Sequence, residues 1–123
     1  MNILLGTAAL LTFLVGLAHS YLGERFLIMR LLRREDLPEL RGSDWFTRRL
    51  LRFAWHSTSV AWWGFGLQLA LMALGEASVR TLALALGGTF VLTAAIILAT
   101  SHGRHLAWPV FLFVGGAAIH AYL

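Results

Sequence analysis

Five histidines are the chemistry-bearing residues of this chain: His19, His56, His102, His105 and His120. Two of them sit in the turn Ser101-His102-Gly103-Arg104-His105, which joins the last two of four apolar segments. Arg104 in that turn is the only charge after Arg80. Neutral imidazole is the commonest biological metal ligand, and it also binds haem iron axially. If the chain brings His19 and His56 to the depth of this turn, four imidazoles share one level, and a metal or haem site can be built from them. His120 lies near the opposite end and reads as a boundary residue or an oligomer contact.

The elements that must position these residues follow from composition. Of the 123 residues, 59% are hydrophobic and 13% are charged. A soluble domain of this size has too little interior to hide that much apolar surface, and lipid can cover the rest. Apolar runs of about 20 residues fit a hydrocarbon core of roughly 30 Å, and backbone groups inside it must pair within the segment. The expected fold is all-α: an integral membrane, antiparallel four-helix bundle running up-down-up-down as one domain over 1–123. Its spans are expected at about 3–22, 50–74, 81–101 and 106–123.

The first span has no basic residue before it, and Ala18-His19-Ser20 is a poor cleavage site, so it reads as a retained helix rather than a signal peptide. Residues 23–49 form the one polar connection. Glu24 to Arg34 continues the first helix, Pro38 forbids further helix, and Ser43 or Asp44 is the expected N-cap of the next. Gly75-Glu76-Ala77-Ser78 is a short turn. Pro109 is tolerated in the first turn of the last span.

Orientation comes from the arginines. All ten basic residues are Arg. Eight lie between Arg25 and Arg52, and Arg104 falls on the same side, whereas Arg80 alone lies on the other. The positive-inside rule then places the 23–49 connection and the His102 turn in the cytoplasm, with both termini outside. The same pattern accounts for the net charge of +4 without a nucleic-acid partner. Anionic lipid headgroups are the expected partners of so many arginines.

In this arrangement His19 lies about three residues inside the end of the first span and His56 about six inside the second, at depths of roughly 5–9 Å. His102 ends the third span and His105 begins the fourth. The candidate ligands are therefore His19, His56, His102 and His105, for haem b or for a transition metal such as Fe, Cu or Zn. Gly16 and Gly23 flank His19 and leave room for a porphyrin, while Trp and Phe near His56 can pack on it. Arg25, Arg52 and Arg104 are placed to meet propionates. Glu24 is a further oxygen ligand, but it points about 140° around an ideal helix from His19. It joins the site only if the helix is distorted near Gly23; otherwise it pairs with an arginine such as Arg52. Ser57, Thr58 and Ser59 are candidates to hydrogen-bond a histidine and fix its tautomer.

The runs HSYLGERFLIMRLLRREDLPEL and RRLLRFAWHSTSVAWWGFG resemble a family of small bacterial four-span membrane proteins of unassigned function. The resemblance covers roughly the first half of the chain. It implies the fold and a place in the bacterial cytoplasmic membrane, and it carries over no activity.

Other chemistries are excluded or weak. The absence of cysteine removes disulfides, thiolate metal sites, covalent haem attachment and cysteine nucleophiles. There is no phosphate loop, nucleophile elbow or HExxH. Gln68 reads as an interhelical hydrogen bond, and Gly87-Gly88 and Gly115-Gly116 as close helix approaches. Three functions compete. The first is a redox carrier holding haem or metal, which makes the chain a carrier rather than an enzyme. The second is a small structural protein that forms a homo-oligomer or joins a larger membrane complex. The third is a metal-ion or proton transporter.

Overall fold

The computed structural model describes residues 1–123. It is all-helical, with four helices and no strand. Helix α1 runs Ile3–Leu31, α2 Trp45–Leu74, α3 Val79–Ser101 and α4 Ala107–His120. Two of them, α1 and α3, are long and apolar enough to cross a membrane. The 14 residues of α4 reach about 21 Å. The 30 residues of α2 are long enough, but Arg48, Arg49, Arg52, His56 and the run Ser57 to Ser59 dilute their apolar character.

The helix ends follow local chemistry. The Asn2 side chain accepts from Leu5 N–H and caps α1. Gly75, at φ 80°, closes α2 in the left-handed conformation. Ser78 then opens α3 with a reciprocal capping box to Thr81. His102, at φ 50°, ends α3, and Gly103 at φ 77° continues the turn. Between α1 and α2, Asp44 stands at the N-cap without a side-chain capping bond and binds Arg48 instead. Hydrogen bonding to that guanidinium holds the Asp44 carboxyl below the usual carboxylate range. The Arg48 guanidinium also donates to the carbonyls of Leu32 and Arg34, so it ties the end of α1 to the start of α2.

Successive helices are antiparallel. Asn2 N–H donates to Ala73 O, joining the start of α1 to the end of α2, and Arg49 donates to Thr100 O, joining the start of α2 to the end of α3. Phe90 packs on Phe111 between α3 and α4, at 5.6 Å. The arrangement departs from a closed bundle, because each helix packs closely only on its sequence neighbours. Helices α1 and α3 flank α2 and leave between them a groove of about 310 Å³, bordered by Phe13, Trp63, Leu67 and Leu92. Helix α4 rests on α3 alone. No residue pattern in the chain dictates a contact between its first and last helices.

Small residues set the closest approaches. Trp63 of α2 lies over Gly16 and donates its indole N–H to Phe13 O at 3.2 Å. Trp55 lies over Gly23 and donates to His19 O at 3.0 Å. On the other side, Gly87 of α3 meets Gly115 of α4 backbone to backbone, while Gly88 and Gly116 face open space.

Candidate functional site: an acid–base network between two helices

One polar cluster crosses from α1 to α2. The last part of α1 widens into a π-helical stretch, Gly23–Ile28, which begins where Trp55 covers Gly23. Single π turns inside α-helices are frequent at functional sites. One turn apart, Ser20 just before this stretch and Glu24 within it both reach His56 of α2. Ser20 Oγ is 2.9 Å from His56 Nδ1, and Glu24 Oε2 is 3.0 Å from His56 Nε2. The second carboxylate oxygen of Glu24 accepts from Arg52 at 2.7 Å. Ser20 Oγ is also 2.8 Å from the Oγ of Ser59, which is fully buried. The chain of groups therefore runs Arg52, Glu24, His56, Ser20, Ser59.

Its geometry accommodates two protonation states of the imidazole. With Glu24 ionised, Nε2 carries a hydrogen and donates to it. A cationic ring donates from Nδ1 to Ser20, which turns its own hydrogen to Ser59. A neutral ring would instead accept at Nδ1 from the Ser20 hydroxyl, whose hydrogen would then leave Ser59. Rotation of the Ser20 hydroxyl alone, between Ser59 and His56 Nδ1, separates the states.

The other predicted site residues are placed elsewhere. His19 is on α1 at the same depth but turned to the side: its ring packs on Trp55 at 4.3 Å and on Trp62 at 4.8 Å. Its Nε2 is buried and has no hydrogen-bond partner. His102 and His105 lie across α2 from α1. His102 meets the edge of Trp45 at 5.5 Å. His105 packs between Phe46 and Phe53, and its Nδ1 accepts from Ala107 N–H. No group of three or more His, Asp or Glu side chains is placed to hold one metal ion. The common four-histidine centre is thus not formed, because α2 stands between the two pairs: a shared depth does not bring with it a shared direction.

Arg25 donates to the Tyr21 hydroxyl and stays outside the network, and Arg104 lies over Trp45. Arg52 does join the centre, through Glu24 rather than through a propionate. Of the three hydroxyls expected to support a histidine, Ser59 does so by way of Ser20. Thr58 bonds Ala54 O within its own helix, and Ser57 Oγ is buried without a partner. Gln68 likewise bonds Gly64 O of its own helix instead of a neighbouring one. Ser20 is the residue that sequence reasoning missed. Its signal was its spacing, one turn before Glu24 and at the level of His56.

Comparison with known protein families, with curated proteins and with solved structures finds no match to this chain.

Proposed function

We propose that this is an integral membrane protein of four antiparallel spans whose working centre is the Glu24–His56 pair, a proton-binding site near the membrane boundary that faces the Arg-rich connection. The observation that carries the proposal is the engagement of both His56 nitrogens, one by the Glu24 carboxylate and one by the Ser20 hydroxyl, which passes its own hydrogen bond on to buried Ser59. Ionisable groups at membrane depth are costly and are functional candidates by default. The relay ends at Ser59, which is fully buried, so the geometry favours a bound proton over conduction through a single chain. The network is also one polar part of the α1–α2 contact, so proton binding would be coupled to how firmly those helices hold.

Infrared difference spectra across a pH jump, taken on protein in lipid nanodiscs, test the centre. The wild type should give carboxyl and imidazole bands that change together, because Glu24 Oε2 and His56 Nε2 share one hydrogen bond at 3.0 Å. Both bands should change in Glu24→Gln and in His56→Gln. A carboxyl band that is untouched by His56→Gln would sink the proposal.

Membrane insertion rests on the outer surface. Leu10, Leu14 and Leu17 of α1 and Val110 and Phe113 of α4 are each at least half exposed. Only 18 of 123 residues are buried, so most of the apolar surface needs a lipid cover. The chain has no cysteine, so an introduced thiol is the sole target for labelling. In intact bacterial cells, Ala77→Cys should react with a membrane-impermeant maleimide, and Arg104→Cys should react only after permeabilisation. The reverse pattern would invert the topology, and equal reaction of both thiols in the intact cells would remove the four-span reading.

A second reading, haem or metal at His19, is favoured by its buried and unpartnered Nε2. Such a nitrogen is what an axial iron ligand offers. Trp55 and Trp62 occupy its ring faces, so the indoles would have to move. Absorption spectra of oxidised and reduced purified protein, with elemental analysis, decide it. A Soret band lost in His19→Ala supports the reading; neither haem nor metal leaves His19 as a packing residue.

A further inference from the structure

We infer that the chain carries a second site, a phosphate-binding pocket for the headgroup of an anionic lipid, built by Arg49 and Trp45 and reinforced by the charge of Arg104 stacked on the same indole. The inference rests on the membrane reading above for its ligand, but not for its geometry. At the start of α2 a cavity of about 380 Å³ is bordered by Leu32, Trp45, Arg48, Arg49, Arg52 and Phe53. Its three guanidiniums are not equivalent. Arg48 is spent: each of its nitrogens is bonded, to Asp44 or to the carbonyls of Leu32 and Arg34. Arg52 is neutralised by Glu24. Arg49 makes one hydrogen bond, to Thr100 O, and has no carboxylate partner.

Arg104 comes in from the α3–α4 turn and lies 4.8 Å from the centroid of the Trp45 ring, over which Arg49 also lies at 4.6 Å. Arg104 has no carboxylate partner either. Both guanidiniums lack a carboxylate, and stacking on the indole limits the directions of their free N–H donors. A phosphate in the cavity would take charge-assisted, forked hydrogen bonds from Arg49, and the charge of Arg104 on the same indole would add to its attraction. The first turn of α2 adds favourable dipole potential at the same place. Leu32 and Phe53 give the pocket an apolar wall on which the glycerol and upper acyl carbons of a lipid could lie. The carboxylates nearby, Asp44 and Glu24, are both committed to arginines and do not fill the role.

Native mass spectrometry of protein released from nanodiscs tests the site, with phosphatidylcholine alone compared with phosphatidylcholine plus phosphatidylglycerol. The wild type should retain phosphatidylglycerol in preference to phosphatidylcholine. The double variant Arg49→Gln/Arg104→Gln should lower that retention about tenfold or more. Arg104→Gln alone changes an exposed side chain and should lower it in the same direction, whatever Arg49→Gln does to folding. The control Arg30→Gln/Arg33→Gln removes exposed arginines outside the cavity and should leave retention unchanged. Equal losses in control and test variants would mean diffuse attraction and would overturn the site. A parallel arm titrates inorganic phosphate into detergent-solubilised protein that carries no lipid. Phosphate binding that is abolished by the double variant, without any lipid preference, would overturn the lipid as ligand and assign the pocket to a soluble phosphate. Failure of the cysteine labelling overturns the membrane reading and leaves this phosphate arm readable.

Discussion

Gly115→Val is expected to detach α4 from α3, while Gly116→Val beside it is nearly silent. A Cβ at Gly115 would lie 2.6 Å from Gly87 O, 2.7 Å from Val91 Cγ2 and 2.9 Å from Val91 N. Two of these three atoms are backbone, so no rotamer change relieves the contact. The relation is reciprocal, since a Cβ at Gly87 would lie 2.8 Å from Gly115 O. Overpacking that side chains can absorb costs about 1–3 kcal/mol, and a clash between two helix backbones exceeds that range. Helix α4 has no other helix to rest on, so the strain is not shared. At Gly116 an added side chain meets nothing within 4 Å. Disulfide cross-linking in an otherwise thiol-free chain reads the difference. Cysteines replacing Phe90 and Phe111, whose rings are in contact, should cross-link in the parent background and with Gly116→Val. They should fail to cross-link with Gly115→Val. Equal yields in the two backgrounds would mean that the glycine contact does not hold α4.

This pair of glycines also marks the boundary of what the sequence discloses. Gly87-Gly88 and Gly115-Gly116 are legible as places of close approach, and which member of each doublet faces the neighbour is not. The same limit governs the site. Residue spacing gives depth along a helix at about 1.5 Å per residue, and His19, Glu24 and His56 do lie near one level. Rotation about each helix depends on how the partner packs, and here two tryptophans decide it. The indole of Trp55 takes the place of a side chain at Gly23, and that of Trp63 does so at Gly16. This turns Ser20 and Glu24 toward α2 and leaves His19 against indole rings. The spacing of Gly16 and Gly23, set against that of Trp55 and Trp63, holds that information, although aromatic residues near His56 serve equally well as porphyrin walls. Helix starts and stops were accessible where the Ser78 cap and Gly75 act locally, whereas α1 ends at Leu31, short of the expected Arg34 and seven residues before Pro38. The open order of the helices was not accessible, because it follows from which faces meet, and every face of this chain is apolar enough to serve.

Gly23→Val should therefore damage the acid–base centre although Gly23 is no part of it. A Cβ there would lie 2.0 Å from Trp55 Nε1, 2.4 Å from its Cε2 and 2.6 Å from its Cζ2. The indole cannot turn aside cheaply, because it packs on the His19 ring and donates to His19 O. Accommodating valine means losing that hydrogen bond, worth about 1 kcal/mol, and adding overpacking strain of about 1–3 kcal/mol. The expected cost is a few kcal/mol, on the order of a hundredfold in the equilibrium that holds α1 against α2. The contacts of His56 to Ser20 and Glu24, at 2.9 and 3.0 Å, have no slack, since hydrogen bonds weaken steeply once the helices move apart. In Gly23→Val the carboxyl and imidazole infrared bands should no longer change together, and tryptophan emission should shift as Trp55 leaves its slot. Gly6→Ala, where the nearest atom to a new Cβ is that of Ala73 at 3.9 Å, should leave both signals unaltered. The decisive arm is the double variant Gly23→Val/Trp55→Leu. If the indole is what excludes a side chain at 23, trimming it should restore part of the coupled infrared signal that Gly23→Val removes, a non-additivity expected only of residues in direct contact. Losses that simply add would place the effect of valine in the π turn itself, and the account of Trp55 as the element that sets the rotation of α1 would fail.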